Sequence, residues 1–128
     1  MNEINLLSKL QGEDRIVMLH DYEKVESEEI LYVIMEKGDT DLATLLKKYS
    51  NNREITAAMI KYYWTEMLHA VSVIHQRGII HKDLKHANFL LVAGRLKLID
   101  LGIASSVQSD KTSVFIDNQM GTFNFMSP

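Results

Sequence analysis

The sequence has no cysteine in its 128 residues, which excludes disulfides, thiolate catalysis and cysteine-based zinc sites. It has no apolar run that approaches the roughly 20 residues needed to cross a bilayer. A strong charge of one sign is also missing, because the formal net charge is only −3, so nothing in the composition indicates nucleic-acid binding. Residues 1–5 are polar and lack the apolar stretch of a secretory signal. These absences favour an intracellular protein that contacts neither nucleic acid nor membrane.

The residues that are present are sufficient for a packed core. Hydrophobic residues make up 46% of the chain and charged residues 24%. A chain of this length is expected to form one domain. No internal repeat or low-complexity linker divides it.

The first third of the chain predicts a helix and a β-hairpin. Apolar residues repeat at helical spacing over residues 4–10, and Gln11-Gly12 supplies a stop. Arg15 to Tyr22 reads as a strand. Ile30 to Met35 is a near-continuous apolar run, which is typical of a strand buried on both faces. The two strands together indicate a hairpin.

A connector from Glu36 to Thr40 leads into two predicted helices and several short strands. The first helix begins near Leu42, and the second runs from a Thr56 cap to Arg77. The second helix should bury one face, carrying Ile60, Tyr63 or Trp64, Met67, Ala70-Val71 and Ile74. Short apolar runs at 79–80, 89–92 and 96–99 lie among polar loops. This order predicts an α+β structure in two parts with a cleft between them.

Two polar loops carry the candidate catalytic residues. Residues 80–88 include Asp83, Lys85 and Asn88, and Asp100 follows about a dozen residues later. Phosphoryl transfer needs positioning and charge neutralisation more than covalent chemistry. Asp83 is placed to accept the proton of an attacking hydroxyl, and Lys85 to neutralise the migrating phosphate. Asn88 and Asp100 offer the hard oxygen ligands that Mg²⁺ prefers.

Joined at this spacing, residues 80–88 and 96–102 resemble the protein-kinase signature H-R-D-L-x-x-x-N followed by D-F-G. The resemblance implies a partial protein-kinase-like fold, ATP and Mg²⁺ as cofactors, and protein hydroxyls as acceptors. Lys85 favours Ser/Thr or dual specificity. Leu101 stands where Phe is usual, and Lys82 where Arg is usual. A lysine cannot make the bidentate phosphate contact of an arginine, which argues against strong activation by a phosphorylated loop.

The resemblance also implies a nucleotide pocket. Glu36 and Gly38 would pair with adenine through their backbone groups, Met35 would be the gatekeeper, and Asp41 would reach the ribose. Leu90 and Ile99 would line the pocket. For each of these residues an ordinary core or loop role would explain the residue type equally well.

Three further features are similar to kinase elements. Glu3 matches the helix-C glutamate that pairs with a strand lysine, although a solvated helix-start glutamate is the alternative. Residues 121–128 resemble the end of an activation segment, and Thr112, Ser113 and Thr122 are candidate phosphorylation sites. His81 is expected to anchor the catalytic loop by packing and hydrogen bonding rather than to transfer protons.

Less general strings narrow the resemblance to the monopolar spindle (TTK-type) dual-specificity kinases. They lie at residues 19–23, 33–42, 87–90, 98–104 and 110–114. This resemblance implies a nuclear and kinetochore setting, kinetochore proteins among the partners, and a role in the spindle checkpoint. It also divides the chain into an N-lobe remnant (1–35), a hinge (36–40) and the first part of a C-lobe (41–128).

Two hypotheses of different classes remain open. The chain is part of an active kinase, or it is a non-catalytic remnant that binds partners or has no function. Coding sequence upstream of Met1 with a Gly-rich loop and a strand lysine would favour the first, because neither has a candidate here. A different ATP-binding fold is disfavoured, since neither G-x-x-x-x-G-K-[ST] nor G-x-G-x-x-G occurs. The apolar face of the second helix further predicts that the isolated chain is unstable or aggregates.

Overall fold

The computed structural model describes residues 2–101 and the backbone of residues 105–106. The candidate phosphorylation sites Thr112, Ser113 and Thr122 lie outside the described residues. Helices and strands follow the chain in this order: α1 (Asn2–Lys9), β1 (Leu19–Val25), β2 (Ile30–Met35), β3 (Thr40–Asp41), α2 (Leu42–Asn51), α3 (Ala57–Gln76), β4 (Ile79–Ile80), a 3-10 turn (His86–Asn88), β5 (Phe89–Val92), β6 (Arg95–Leu98) and β7 (Ser105–Ser106).

The predicted hairpin is present, but its first strand begins later than the sequence pattern suggests. β1 pairs antiparallel with β2, from Leu19 opposite Met35 to Val25 opposite Ile30. The preceding residues bond to β6 instead: the Val17 N–H donates to the Leu98 carbonyl at 3.1 Å, and the Leu98 N–H to the Arg15 carbonyl at 2.9 Å. The prediction of a strand from Arg15 was therefore wrong in its start, because this segment has a different partner.

The expectation that β2 is buried on both faces was wrong. Leu31 and Val33 are half-buried, and the other four residues of the strand are exposed. Tyr32 and Ile34 are 52% and 57% exposed. An apolar run shows which side chains are able to be buried, but burial also requires a partner layer. Among the described residues, no layer packs on the face of the two-stranded sheet that carries Tyr32 and Ile34.

A second sheet supports the polar loops. Its strand order is β3-β5-β6, with all neighbours antiparallel. β5 and β6 are joined by Ala93 and Gly94, whose φ values of 49° and 83° match a two-residue hairpin turn in which both residues have positive φ. The Ala93 N–H donates to the Asp39 carboxylate at 3.2 Å. This bond fixes the turn against the connector, residues 36–40.

The longest helix, α3, begins at the predicted cap. Thr56 has extended backbone angles and its hydroxyl accepts the Met59 N–H at 3.2 Å, as an N-cap residue does. Ala70 and Ile74 are fully buried, and Tyr63, Met67 and Val71 are partly buried against the core. The predicted burial of Ile60, and of Trp64 as the alternative to Tyr63, was wrong, because these side chains are 59% and 58% exposed. The described residues place nothing over this end of the helix face.

One hydrophobic core joins α1 to the rest of the molecule. It comprises buried residues of α1, of the segment after it, of α2, α3 and β4 to β6, and of the turn after β6: Leu6, Leu7, Leu10, Ile16, Val17, Leu42, Ala70, Ile74, Ile79, Phe89, Leu96, Leu98 and Leu101. Burying each large aliphatic side chain contributes roughly 1.5–3 kcal/mol. The same core therefore positions α1, β6 and the polar turn at Asp100 relative to one another.

An ionic cluster with a partly buried ion pair holds α3 against β6. Arg15 Nη1 lies 2.7 Å from Glu66 Oε2, and these side chains are 16% and 12% exposed. Arg15 Nη2 lies 3.3 Å from His69 Nδ1, and the Leu96 N–H donates to Glu66 at 3.4 Å. Burial alone would raise the pKa of Glu66, but Arg15 and the Leu96 N–H lower that pKa below its ordinary value.

Over the described residues, no helix is both long enough and apolar enough to span a membrane.

Candidate active site

His81 lies at the centre of the site, 3% exposed. The Asp83 N–H donates to His81 Nδ1 at 3.1 Å, and His81 Nε2 contacts the carbonyl oxygen of Asp100. Because Nδ1 accepts a hydrogen bond, the proton of the neutral ring is on Nε2, which donates to that carbonyl. A single imidazole thus joins the backbones of Asp83, the predicted proton acceptor, and Asp100, a predicted metal ligand.

The electrostatics of His81 agree with this arrangement. Burial lowers the pKa of His81, and the Asp100 carbonyl and the nearby Asp100 and Asp83 charges only partly oppose that effect, so the pKa stays below its ordinary value. The ring is therefore neutral at neutral pH. A neutral, buried ring with both nitrogens engaged holds the loop in place, as the sequence predicts.

The loop after β4 brings Asp83 and Lys85 to the same side. Lys85 Nζ lies 3.6 Å from Asp83 Oδ2, and their side chains are 30% and 21% exposed. Between His81 and Asp83, Lys82 has a φ of 74°, which costs a residue with a side chain roughly 1–2 kcal/mol. This turn lets the Asp83 N–H reach back to His81. Both charged groups remain accessible to a molecule outside the fold.

Asn88 links this loop to Asp100. Its side chain is 3% exposed; Oδ1 accepts the Lys85 N–H at 3.1 Å, and Nδ2 donates to Asp100 Oδ2 at 3.4 Å. The Ile99 N–H donates to the Asn88 carbonyl at 2.9 Å. Asp83, Lys85, Asn88 and Asp100 are therefore held in one hydrogen-bonded group.

The donor set at Asn88 and Asp100 suits magnesium. Both provide hard oxygens, and Mg²⁺ is usually held by one or two such side chains together with phosphate oxygens and water. Among the described residues, no group of three or more His, Cys, Asp or Glu side chains is placed to hold a metal ion. The Asp100 carboxylate could share an ion with nucleotide oxygens, but the Asn88 amide turns Nδ2 toward Asp100, while its Oδ1 accepts the Lys85 N–H. Asn88 would have to rotate its amide to offer an oxygen beside Asp100, and the role of both residues as metal ligands stays a prediction.

The predicted pocket residues Gly38 and Leu90 touch each other. A Cβ added at Gly38 would lie 2.3 Å from Leu90 Cγ and 2.5 and 2.6 Å from its two terminal carbons. The connector thus passes directly over β5, with no space for a larger residue unless Leu90 moves. Ile99 follows β6 and is half-buried against the core, whereas Met35, at the end of β2, is 38% exposed.

Asp41 has a structural role that the sequence analysis did not identify. It is the N-cap of α2: Oδ1 accepts the Thr44 N–H at 2.9 Å and Oδ2 accepts the Thr44 hydroxyl at 2.7 Å. These bonds to Thr44 lower the pKa of Asp41 below its ordinary value. Its contact with a ribose stays a prediction.

Glu3 lies near the second polar loop. Its Oε1 accepts the backbone N–H of Leu101 at 3.4 Å, and Leu101 is buried in the core. α1 therefore contacts Leu101, the residue after Asp100, in two ways: through the shared hydrophobic core and through the Glu3 carboxylate. The predicted pairing of Glu3 with a lysine stays a prediction.

Lys97 is a residue that the sequence analysis missed. Its Nζ lies 2.8 Å from Glu36 Oε1, and the side chains are 17% and 13% exposed. The available signal was its alternation with Leu96 and Leu98 in a short strand, which puts the lysine on the opposite face from two core residues. The sequence alone did not show which acidic group would meet it.

The structure also contains an apolar groove of about 290 Å³ beside the catalytic loop. Four of its residues are on α3, and four come from the loop, the 3-10 turn and β5: Trp64, Met67, Leu68, Val71, Leu84, Lys85, His86 and Phe89. Because the groove reaches Lys85, the exposed face of α3 is continuous with the candidate site.

The fold and the site define the class of this protein. The family model described as "Protein kinase domain" matches residues 1–128, and the chain belongs to the protein kinase domain family. The predicted protein-kinase-like α+β fold is thereby confirmed. The domain division at residues 35 and 40 stays a prediction.

Curated relatives narrow the similarity within that family. The chain is 50% identical over 128 residues to the mouse "Dual specificity protein kinase TTK", covering 99% of this chain and 14% of that protein. It is 49% identical over 127 residues to "Serine/threonine-protein kinase mph1" of Schizosaccharomyces pombe, covering 99% of this chain and 19% of the relative. It is 43% identical over 126 residues to "Serine/threonine-protein kinase MPS1" of Saccharomyces cerevisiae, covering 98% and 16%. The predicted similarity to TTK-type kinases is confirmed, and the chain spans less than a fifth of the length of each of these three relatives.

Proposed function

We propose that this chain carries the catalytic loop and the metal-binding turn of a protein kinase that transfers the γ-phosphoryl group of ATP to serine and threonine hydroxyls, and to tyrosine. The observation that supports this most directly is the hydrogen-bonded group around His81. It brings together Asp83, Lys85, Asn88 and Asp100, which are the residue types that the reaction requires. An accidental set of turn carboxylates would not be expected to share one buried histidine.

In the proposed reaction, Asp83 orients the acceptor hydroxyl and accepts its proton. The hydroxyl oxygen forms a bond to the γ-phosphorus while the bond from that phosphorus to the ADP oxygen breaks. The Lys85 ammonium, 3.6 Å from Asp83, is close enough to neutralise charge on the migrating group. Because His81 holds the Asp83 backbone, the carboxylate is positioned before a substrate arrives.

Asn88 and Asp100 would hold Mg²⁺, which when bound neutralises the phosphate charge and orients the γ-phosphoryl group. The protein keeps this pair in place at two points. His81 binds the Asp100 carbonyl, and the Asn88 amide contacts the Asp100 carboxylate at 3.4 Å.

The connector would bind the adenine of ATP. Because Gly38 is in close contact with Leu90, the connector backbone and an apolar side chain lie side by side. A flat heterocycle could bond to the first and pack against the second. We assign adenine pairing to the backbones of Glu36 and Gly38, pocket lining to Met35, Leu90 and Ile99, and ribose contact to Asp41. In this proposal, Glu3 supports the Asp100 turn and pairs with a lysine.

The biological setting belongs to the proposal as well. The relatives are named as protein kinases, and these names support protein substrates with hydroxyl side chains. A nuclear and kinetochore location, kinetochore partners and a spindle-checkpoint role stay predictions from the resemblance. Co-localisation of the tagged protein with kinetochores in dividing cells would test them.

The catalytic proposal is tested by phosphoryl transfer from ATP to a generic protein substrate, using protein expressed from its complete coding sequence. Asp83→Asn should lower kcat by roughly 10²–10⁴-fold, the usual contribution of a positioned general base. Asp100→Ala should abolish detectable transfer at Mg²⁺ concentrations that saturate the wild type, because the ion would lose its carboxylate ligand. Asp14→Asn is the matched control, because that aspartate is 85% exposed in a long 3.7 Å ion pair.

Equal activity in the wild type and in all three variants would eliminate the proposed assignment. Protein that shows no nucleotide binding and no transfer, while still folded by circular dichroism, would favour the non-catalytic remnant instead.

A further inference from the structure

One face of the β5–β6 hairpin holds the connector at two points. Leu90 and Lys97 are directly opposite in the antiparallel register, and opposite residues in such a pair project to the same face. Leu90 packs against Gly38, and Lys97 Nζ lies 2.8 Å from Glu36 Oε1. An apolar contact and an ionic contact therefore fix the two ends of the segment from Glu36 to Gly38.

The Glu36 carboxylate also joins the connector to the segment before β1. Its Oε1 accepts the Met18 N–H at 2.7 Å, while the Glu36 N–H donates to the Met18 carbonyl at 2.9 Å. Gln11 holds the neighbouring residue, because its side-chain oxygen accepts the Leu19 N–H at 2.9 Å. One oxygen of Glu36 thus links β6, the connector and the chain that follows α1.

Burial makes this link depend on the charge of Lys97. The Glu36 and Lys97 side chains are only 13% and 17% exposed. Burial alone would raise the pKa of Glu36, but the hydrogen bonds from Lys97 and from the Met18 N–H, with the positive charge of Lys97, lower that pKa below its ordinary value. A carboxylate left in this position without its cation would have to protonate or move toward water. Either change would alter the backbone at Glu36.

We propose that Lys97 is a positioning residue for the nucleotide site, acting through Glu36 to fix the connector backbone that binds adenine. The inference rests on the proposed function and assigns to that site a side chain that contacts no part of the nucleotide. Lys97 controls whether the connector is already in its binding geometry before ATP arrives. Asp83 and Asp100 do not depend on it, because His81 holds their backbones. Asn88 is bonded to the Lys85 N–H and to the Asp100 carboxylate rather than to Lys97.

This role predicts a change in affinity rather than in the chemical step. If the loss of Lys97 leaves the connector in its binding geometry about a tenth of the time, the apparent Kd for Mg·ATP rises about tenfold, because a partly populated competent state weakens binding by its fraction. At saturating ATP the bound nucleotide itself selects that geometry. The value of kcat should then stay within about twofold of the wild type.

The experiment measures the Kd of Mg·ATP by direct binding, and KM and kcat by phosphoryl transfer, on the protein expressed from its complete coding sequence. Lys97→Met removes the charge and keeps most of the apolar stem, and Lys97→Arg keeps the charge. Lys24→Met is the matched control, since Lys24 pairs with Glu26 on the surface with side chains 45% and 80% exposed. Lys97→Met should raise Kd and KM together, Lys97→Arg should recover most of the affinity, and Lys24→Met should change nothing.

The outcomes separate the inference from the proposed function. Wild-type protein that neither binds Mg·ATP nor transfers phosphate would overturn both. Active wild type with an unchanged Kd in Lys97→Met would overturn the inference alone. So would a variant whose kcat falls in proportion to its folded fraction, because that pattern indicates a purely structural role. A variant with raised kcat and unchanged Kd would show that the contact restrains the enzyme rather than positions the connector.

Discussion

Arg15 connects parts of the fold that are far apart in the chain, and its replacement by methionine tests how much that connection stabilises the protein. The guanidinium lies 2.7 Å from Glu66 of α3 and 3.3 Å from His69, while the Arg15 carbonyl accepts the Leu98 N–H of β6 at 2.9 Å. Methionine keeps an unbranched apolar stem and the backbone bond. The substitution therefore removes chiefly the charge.

The expected loss follows from the burial of Glu66. Removing one partner of a fully buried pair costs about 3–5 kcal/mol, because the remaining charge is left uncompensated. Arg15 and Glu66 are 16% and 12% exposed, so some water reaches them. The Arg15 Nη1 contact is also close without the geometry of a hydrogen bond. We therefore expect Arg15→Met to lower the free energy of unfolding by about 2–3 kcal/mol at pH 7.

The loss should depend on pH in a defined direction. The pKa of Glu66 is lowered in the folded protein from an ordinary value of 4.5. A carboxyl group with a lowered pKa contributes stability that is fully present above the unfolded-state pKa and is lost as pH falls through the folded-state pKa. The difference between wild type and Arg15→Met should therefore be largest above about pH 5 and shrink below about pH 4.

Urea denaturation of the protein expressed from its complete coding sequence, at pH 7 and at about pH 3, measures both effects. Arg77→Met is the control, because its pair with Glu13 is on the surface, with Arg77 54% exposed, and should contribute no more than about 1 kcal/mol. In a Glu66→Gln background, Arg15→Met should cost much less, since no buried charge remains. An equal loss in both backgrounds, or a loss that does not change with pH, would refute the electrostatic explanation.

Two further predictions concern the connector and α3. Gly38→Ala should destabilise the protein by about 1–3 kcal/mol, because the added methyl group would overlap Leu90. In denaturation experiments, Leu90→Ala should relieve most of that loss. Additive effects of the two substitutions would contradict the contact. Trp64→Gln combined with Leu68→Gln should reduce self-association, measured by sedimentation. Each substitution should cost at most about 0.5 kcal/mol of stability, because the side chains are 58% and 50% exposed. Unchanged association would show that this face of α3 is not its cause.

Features specified by neighbouring residues were predictable from the sequence. The Thr56 cap, the helical stop after α1 and the pairing of β1 with β2 each depend on residues close together in the chain. The spacing of the two polar loops also predicted which residues meet around His81. In each case the local pattern allows few alternatives.

Features that depend on distant partners were not predictable. Glu36 and Lys97 are 61 residues apart, and the sequence around either residue does not indicate the other as its ion-pair partner. The exposure of β2 and of Trp64 was missed for a related reason. Periodicity identifies the apolar side of an element, whereas burial depends on which surface is packed against it.

The register of a single hairpin connects the two halves of the candidate site. Phe89 is opposite Leu98, so the residues flanking this pair, Asn88 and Ile99, are adjacent and bond at 2.9 Å; Asp100 follows at once. The same register puts Lys97 opposite Leu90, on the face toward the connector. A slip of one residue would turn Lys97 to the core face and separate Asn88 from the Asp100 turn. The contact between Asn88 and Asp100 and the contact between Lys97 and the connector therefore both depend on the register that the two-residue turn between β5 and β6 sets.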